Sequence, residues 1–320
     1  MSVDEFDLIR RFFRRSAVRS QTRLGVGDDA ALLNPPPGQV LAATVDTMVA
    51  GVHFFPDADP AALGHKLLAV NLSDLAAMGA EPAWALLALT LPDAAPEWLG
   101  AFAEGLFALA ERHRVDLVGG DTTRGPLTLS LQALGWVPEE QALRRCGARP
   151  GDGIYVSGTL GDAALGLKML RGELDWRDEA VIERLLRPRP RVVLGLSLRG
   201  LAHACIDVSD GLVADLGHIL SASGVGAILE WESLPLSAAV RRYVADTGDW
   251  RLPLSGGDDY ELCFTLPEAA VRVLQQRLPA GAVAWHRIGT IQKEQGLRIN
   301  KGGRAISLPP AGYRHFHHDE

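Results

Sequence analysis

Hydrophobic positions recur along this chain with two periods, and the switching between them predicts a mixed fold. At helical spacing, Phe6, Ile9 and Phe13 predict an amphipathic helix over residues 4–15, and Trp98, Phe102, Leu106 and Leu109 predict another over Pro96–Arg112. Pro60–Met78 reads as a third helix, closed by Gly79. Short apolar runs predict strands: Val40–Val45, buried and ending at Asp46; Ala83–Leu91; and Val115–Val118, which runs into Gly119-Gly-Asp-Thr-Thr. Leu127–Val137 alternates as a strand does. Between about 138 and 153 the pattern lapses into Pro, Glu, Arg and Gly, which predicts a boundary between one domain of residues 1–140 and another of 141–320. Beyond it come a strand from Gly153, a helix over Asp162–Leu170, and a helical stretch over Asp178–Ala204 broken at Pro188 and Pro190. Ile206-Asp-Val-Ser-Asp-Gly then leads into a helix to about Ser221. Strands near 226–231, 261–266 and 284–291 alternate with helices near 237–246 and 268–277. Strands and helices mixed in both halves predict an α/β fold (α+β layers).

Composition narrows the function. No apolar run reaches the ~18 residues of a spanning helix, so no membrane partner is expected. The acidic start, Met1-Ser-Val-Asp-Glu-Phe-Asp, is unlike a basic export signal. Three scattered cysteines, Cys146, Cys205 and Cys263, exclude a disulfide framework, are expected to pack as small apolar groups, and fit a reducing cytoplasm. A net charge of −7 argues against nucleic-acid binding. The chain has 23 Asp against 16 Glu, and 28 Arg against only 4 Lys, so a mechanism that needs lysine has few candidates.

The aspartates sit at the punctuation between elements. Asp28 and Asp29 lie in Gly25-Val-Gly-Asp-Asp-Ala-Ala, Asp46 at the end of a strand, and Asp121 after a Gly pair. Asp207 and Asp210 bracket Val208-Ser209, and Asp258 and Asp259 follow Gly256-Gly257. Each alone reads as a cap or turn residue. Asp74, inside an apolar helix, does not, because Asp has poor propensity there. Converging carboxylates repel unless cations lie between them, and Mg²⁺ with substrate phosphates is the natural partner. A Walker loop, a dinucleotide fingerprint and the protein-kinase motifs are all missing.

Read in order, Gly27-Asp-Asp-Ala-Ala, Thr44-Val-Asp-Thr-Met-Val-Ala-Gly-Val-His-Phe, Asn71-Leu-Ser-Asp-Leu-Ala-Ala-Met-Gly-Ala-Glu-Pro, Gly119-Gly-Asp-Thr-Thr-Arg-Gly, Arg145-Cys-Gly-Ala-Arg-Pro-Gly-Asp, Ile206-Asp-Val-Ser-Asp-Gly-Leu, Ser255-Gly-Gly-Asp-Asp-Tyr-Glu-Leu and Gly312-Tyr-Arg-His-Phe resemble the thiamine-monophosphate kinase family, of the aminoimidazole ribonucleotide synthetase-like superfamily. The resemblance implies a two-domain fold whose N-terminal sheet pairs across a homodimer, and transfer of the ATP γ-phosphoryl group to thiamine monophosphate. It implies metal contacts at Asp29, Thr44, Val45 (through its backbone), Asp46, Asp74, Asp121, Asp207 and Asp210. It implies nucleotide contacts at Gly120, Asp121, Arg145 and Ser209, and substrate contacts at His53, Asp258 and Tyr313. The family often has Glu where this chain has Asp258.

The chemistry agrees with so few lysines and no evident general base. The acceptor is itself a phosphate, largely dianionic near neutrality because its second pKa is about 6. What it needs is relief of repulsion between two polyanions, which several Mg²⁺ ions supply, so catalysis is expected to be metal- and positioning-driven. Two rival readings remain at this point: another ATP-using enzyme of the superfamily, and a non-catalytic nucleotide-binding regulator. The tail His315-Phe-His-His is expected to be solvated.

Overall fold

The computed structural model describes residues 5–306, which divide into two units. One comprises the chain up to Leu75 with Ala80–Ala142; the other comprises Ala76–Gly79 with the chain from Leu143 on.

The first unit begins with α1 (Glu5–Leu8), which continues as a five-residue π turn over Ile9–Phe13. The expected single α-helix is therefore wound more loosely at its end, where Arg14 N–H bonds the Ile9 carbonyl at 3.0 Å. Strands β1 (Thr22–Leu24) and β2 (Leu32–Leu33) then bracket the Gly/Asp loop. Next come β3 (Gln39–Val49), α2 (Pro60–Ala77), β4 (Glu81–Leu91), α3 (Pro96–His113), β5 (Asp116–Arg124) and β6 (Thr128–Pro138). The sheet order is β3-β6-β4-β5. Only β4 and β5 are parallel, joined through α3. Leu67, Leu68 and Leu72 of α2 and Leu99, Phe102 and Leu106 of α3 are buried.

Two strands differ from expectation. β3 does not stop at Asp46: it pairs with β6 from Gln39↔Pro138 to Val49↔Thr128, so Asp46 sits inside the strand. Nor is it a buried strand. It lies at the sheet edge, with Val40, Leu41 and Val45 at 38%, 50% and 64% exposure. β5 runs through Gly119-Gly120-Asp121 to Arg124 because β4 offers it a parallel partner throughout. Polar residues end an apolar run in sequence, but they do not end a hydrogen-bonded ladder.

The second unit comprises β7 (Gly153–Ser157), α4 (Asp162–Leu170), α5 (Glu179–Leu186), α6 (Val192–Leu198), β8 (Ala204–Val208), α7 (Leu212–Ser223) and β9 (Gly226–Glu230). It continues through α8 (Ala238–Thr247), α9 (Leu252–Ser255), β10 (Glu261–Leu266), α10 (Glu268–Arg277), β11 (Trp285–Gln292), β12 (Gly296–Lys301) and β13 (Arg304–Ile306). Its seven-stranded sheet has the order β13-β12-β9-β11-β7-β10-β8. Every residue of β7, β8 and β10 is buried. The stretch expected to be helical to Ala204 divides at Pro188 and Pro190, which lack an amide donor, and Ala204 instead opens β8 opposite Thr265. β12 and β13 are not among the predicted strands: their apolar alternation, Leu297 and Ile299 in β12, is too brief to read as a period. Cys205 and Cys263 pack in β8 and β10 as expected, whereas Cys146 is exposed.

Candidate functional site

In the first unit the two-residue period of β3 puts Thr44 and Asp46 on one face and Val45 on the other. Asp74, on α2, lies within reach of that face: the Thr44 hydroxyl donates to its Oδ2. Burial and, second, the neighbouring Asp74 carboxylate push the Asp46 carboxyl up to about 6. Among the described residues no three His, Cys, Asp or Glu side chains form a closed metal cage. Two carboxylates and a hydroxyl are nevertheless hard oxygen donors, and Mg²⁺ is commonly held by one or two carboxylates with waters and phosphates completing its shell. The donor set fits that ion.

The raised value sets a stability test. Asp46 binds its proton more tightly folded than unfolded, so its contribution falls as pH rises from about 4 through about 6. At pH 8, without divalent metal, Asp46→Asn should raise Tm by several degrees and lose the further Tm gain that MgCl₂ gives the parent chain. An unchanged metal-dependent Tm shift in the variant would remove Asp46 from the metal set.

Asp121 does not join this patch. Asp46 lies opposite Leu131 of β6, Leu131 opposite Leu87 of β4, and Leu87 opposite Gly120 of β5. Asp46 and Gly120 thus stand three strand spacings apart, about 14 Å at ~4.8 Å each. Within the sheet there are thus two acidic positions, one at each edge. Gly120 has φ 154°, and a Cβ there would fall 1.8 Å from the Leu87 carbonyl oxygen, so only glycine fits.

Asp29 is exposed, and its N–H bonds the Asp28 carboxylate at 2.9 Å. His53 follows β3, and its Nδ1 accepts from Val49 N–H at 3.0 Å. A neutral His53 therefore carries its proton on Nε2.

In the second unit Asp207, 4% exposed, ends β8 with Val208, and Ser209, Asp210 and Gly211 turn into α7. The backbone N–H groups of Ser209, Asp210 and Gly211 all donate to Asp215 Oδ2, at 3.0, 3.1 and 3.1 Å. Burial, with Asp210 nearby, pushes the Asp215 carboxyl up to about 7. Arg145 is exposed on a segment pinned to β8 by the Cys205 N–H to Arg144 carbonyl bond at 2.9 Å. The Gly256–Tyr260 segment lies directly against the same turn. Asp258 N–H donates to the Ser209 carbonyl and Tyr260 N–H to the Val208 carbonyl, both at 2.8 Å. Gly257 permits this approach, since a Cβ there would meet the Ser209 oxygen at 2.4 Å. Ser209 and Asp258 are thereby joined backbone to backbone. Tyr313 lies outside the described residues, as does the His315–His318 tail.

Residues not singled out from the sequence support these positions. Asp215 is one; its signal was an acidic residue in the first turn of a helix after Gly. Asp116 is another. It accepts from the N–H groups of Val18 and Arg19 and from the Thr22 hydroxyl, at 2.7, 3.1 and 2.6 Å. Arg19 donates to the Arg114 and Pro82 carbonyls, both at 2.6 Å, and thus anchors the chain entering the Asp29 loop.

The family profiles "AIR synthase related protein, N-terminal domain" and "AIR synthase related protein, C-terminal domain" match residues 27–137 and 149–301. The thiamine-monophosphate kinase of Salmonella typhimurium is 49% identical over 99% of both chains. The crystal structure of thiamine-monophosphate kinase from Stenotrophomonas maltophilia K279a superposes with TM-score 0.86 at 49% identity, covering 96% of this chain and 99% of that one. A structure described as AaThiL complexed with AMPPCP and TMP superposes with TM-score 0.78 at 33% identity, covering 88% and 89%.

Proposed function

Since this chain belongs to the thiamine-monophosphate kinase family of the AIR synthase related proteins, its reaction is the ATP-dependent phosphorylation of thiamine monophosphate, and we propose that the residues described above divide the work as follows. Thr44, Asp46 and Asp74, with Asp29 and the Val45 backbone, hold Mg²⁺ on the first unit, and Asp121 holds it at the other sheet edge. Asp207 and Asp210 hold it on the second unit. Mg²⁺ held by these residues would offset the negative charge of the phosphate oxygens. Gly120, Asp121, Arg145 and Ser209 contact the nucleotide. Arg145 contributes a positive charge toward the nucleotide phosphates. His53 offers an Nε2–H to the acceptor phosphate, and the Asp258 carboxylate suits the positively charged thiamine part. Tyr313 packs on the thiamine rings. No side chain acts as general base, because the acceptor phosphate carries the attacking oxygen already ionised. Transfer is direct and in line, without a phosphoenzyme.

The observation that carries this division is the Asp258 N–H to Ser209 carbonyl bond. It supports the reading because it joins Asp258 and Ser209 on neighbouring loops. ADP formation is the test. With Mg²⁺, thiamine monophosphate should stimulate it and free thiamine should not, and EDTA should abolish it reversibly. Comparable turnover of free thiamine would refute the substrate assignment, and full activity without divalent metal would refute the role of the carboxylates.

The same reading assigns residues 1–140 to ATP, metal and dimer contacts and residues 141–320 to the α/β domain. It makes the protein a twofold homodimer, supported by the exposed Val40, Leu41 and Val45 of the β3 edge strand. Sedimentation at micromolar concentration should give twice the chain mass, and a monomer alone would contradict it. Three free cysteines support a reducing cytoplasm.

A further inference from the structure

Next to the Gly256–Tyr260 segment lies a cluster of buried charge that the reaction as divided above does not use. Glu261, the first residue of β10, is fully buried, and four donations converge on its carboxylate. Arg191 donates through Nε to Oε2 at 2.6 Å and through Nη2 to Oε1. Arg184 Nη2 also donates to Oε1, and Ser157 Oγ donates to Oε2. Arg184 Nη2 reaches the Asp259 carbonyl as well, at 3.5 Å. The Asp259 carboxylate, 2% exposed, accepts from Gly161 N–H at 2.8 Å.

The segment held this way is the one with unusual backbone. Asp258 and Tyr260 have φ of 67° and 48°, and Arg114 is the one other non-glycine residue with positive φ among those described. L-residues keep that conformation only where their surroundings impose it. Here Asp259 and Glu261, which alternate with the two left-handed residues, are the ones pinned in the interior. On the outer side the Tyr260 hydroxyl donates to Asp258 Oδ1 at 3.0 Å. A buried ion cluster is a weak stabiliser compared with apolar packing of the same volume, so its presence at this position calls for another reason.

We propose that Arg184, Arg191 and Glu261 are positioning residues for the phosphate acceptor: their ion cluster holds the Gly256–Tyr260 loop in its left-handed form and so aims the Asp258 carboxylate at the thiamine part of the substrate. The inference rests on the reading of Asp258 as an acceptor contact, and it extends specificity to side chains that touch no substrate.

Arg191→Lys keeps the charge and removes the two-pronged contact. With the fold checked by circular dichroism and rates taken well below Tm, KM for thiamine monophosphate should rise at least about fivefold and KM for ATP should stay within about twofold, as expected for misplacement confined to one substrate. Glu261→Gln, which keeps the shape, should give the same split; if either variant fails to fold, Arg184→Lys replaces it. Unchanged KM values, or equal rises for both substrates, would overturn the inference. Asp258→Asn is run alongside to separate the two readings. If it raises KM for thiamine monophosphate but Arg191→Lys does not, the positioning role falls and the Asp258 contact stands. If Arg191→Lys gives the split and Asp258→Asn is silent, the ion cluster positions the loop for the acceptor through another of its residues, and the Asp258 contact is withdrawn.

Discussion

Asp74→Asn should lower kcat by roughly 10²–10⁴-fold, a loss of about 3–5 kcal/mol at the transition state. The size follows from electrostatics: unit charges ~4 Å apart at an effective dielectric of about 20 interact by roughly 4 kcal/mol. Asp74 stands against Thr44 and raises the Asp46 carboxyl, and on the proposed reading it is one of the carboxylates that hold Mg²⁺. The substitution is nearly isosteric and relieves repulsion between the two carboxylates, so the variant should fold and melt no lower than the parent. The Thr44 hydroxyl keeps an acceptor in the Asn carbonyl. Higher MgCl₂ should recover only part of the loss. A folded Asp74→Asn protein with near-normal kcat at saturating Mg²⁺ would show that Asp74 is a half-buried polar residue and nothing more.

Asp215 should give the second large effect, chiefly in stability. Alanine would leave the N–H groups of Ser209, Asp210 and Gly211 without their shared acceptor. Hydrogen bonds to a charged acceptor contribute about 1.5–3 kcal/mol each, partly offset by the cost of burying the carboxylate, so a net loss of about 2–4 kcal/mol is expected. The turn carrying Asp207, Ser209 and Asp210 would loosen with it, lowering kcat and raising KM for ATP. Asparagine should behave differently. Its oxygen can still accept, and it removes a carboxyl that burial has raised to about 7. That group binds its proton more tightly folded than unfolded, so its stability contribution falls as pH rises from about 4 to about 7. At pH 8 the Tm order should be Ala below the parent, and Asn equal to or above it. An alanine variant as stable and active as the parent would mean that the three amides find other partners and the turn holds without Asp215.

Local rules made much of this protein legible in its sequence. The apolar spacing of Trp98, Phe102, Leu106 and Leu109 gave α3, and the alternation after Leu127 gave β6, because amphipathic periods depend on neighbours along the chain alone. The spaced aspartates and the missing phosphate-binding motifs pointed to metal-borne phosphoryl chemistry, since charge and side-chain type are fixed before folding. Strand ends were not legible. β3 runs past Asp46 and β5 through Gly119-Gly120 because β6, three strands on, and β4, across α3, supply the hydrogen bonds. The sequence also could not show which aspartates meet. Thr44, Asp46 and Asp74 come together because a strand face meets a helix, while Asp121 is held on the far edge by the order β3-β6-β4-β5. Asp215, Arg184, Arg191 and Glu261 read as ordinary helix and strand residues until the turn after β8 and the loop before β10 were packed against each other. Their roles depend on partners up to 104 positions distant, as for Ser157 and Glu261. Side-chain type and local period are properties of the chain; which carboxylates repel and which are paired is decided only by long-range pairing in the folded protein.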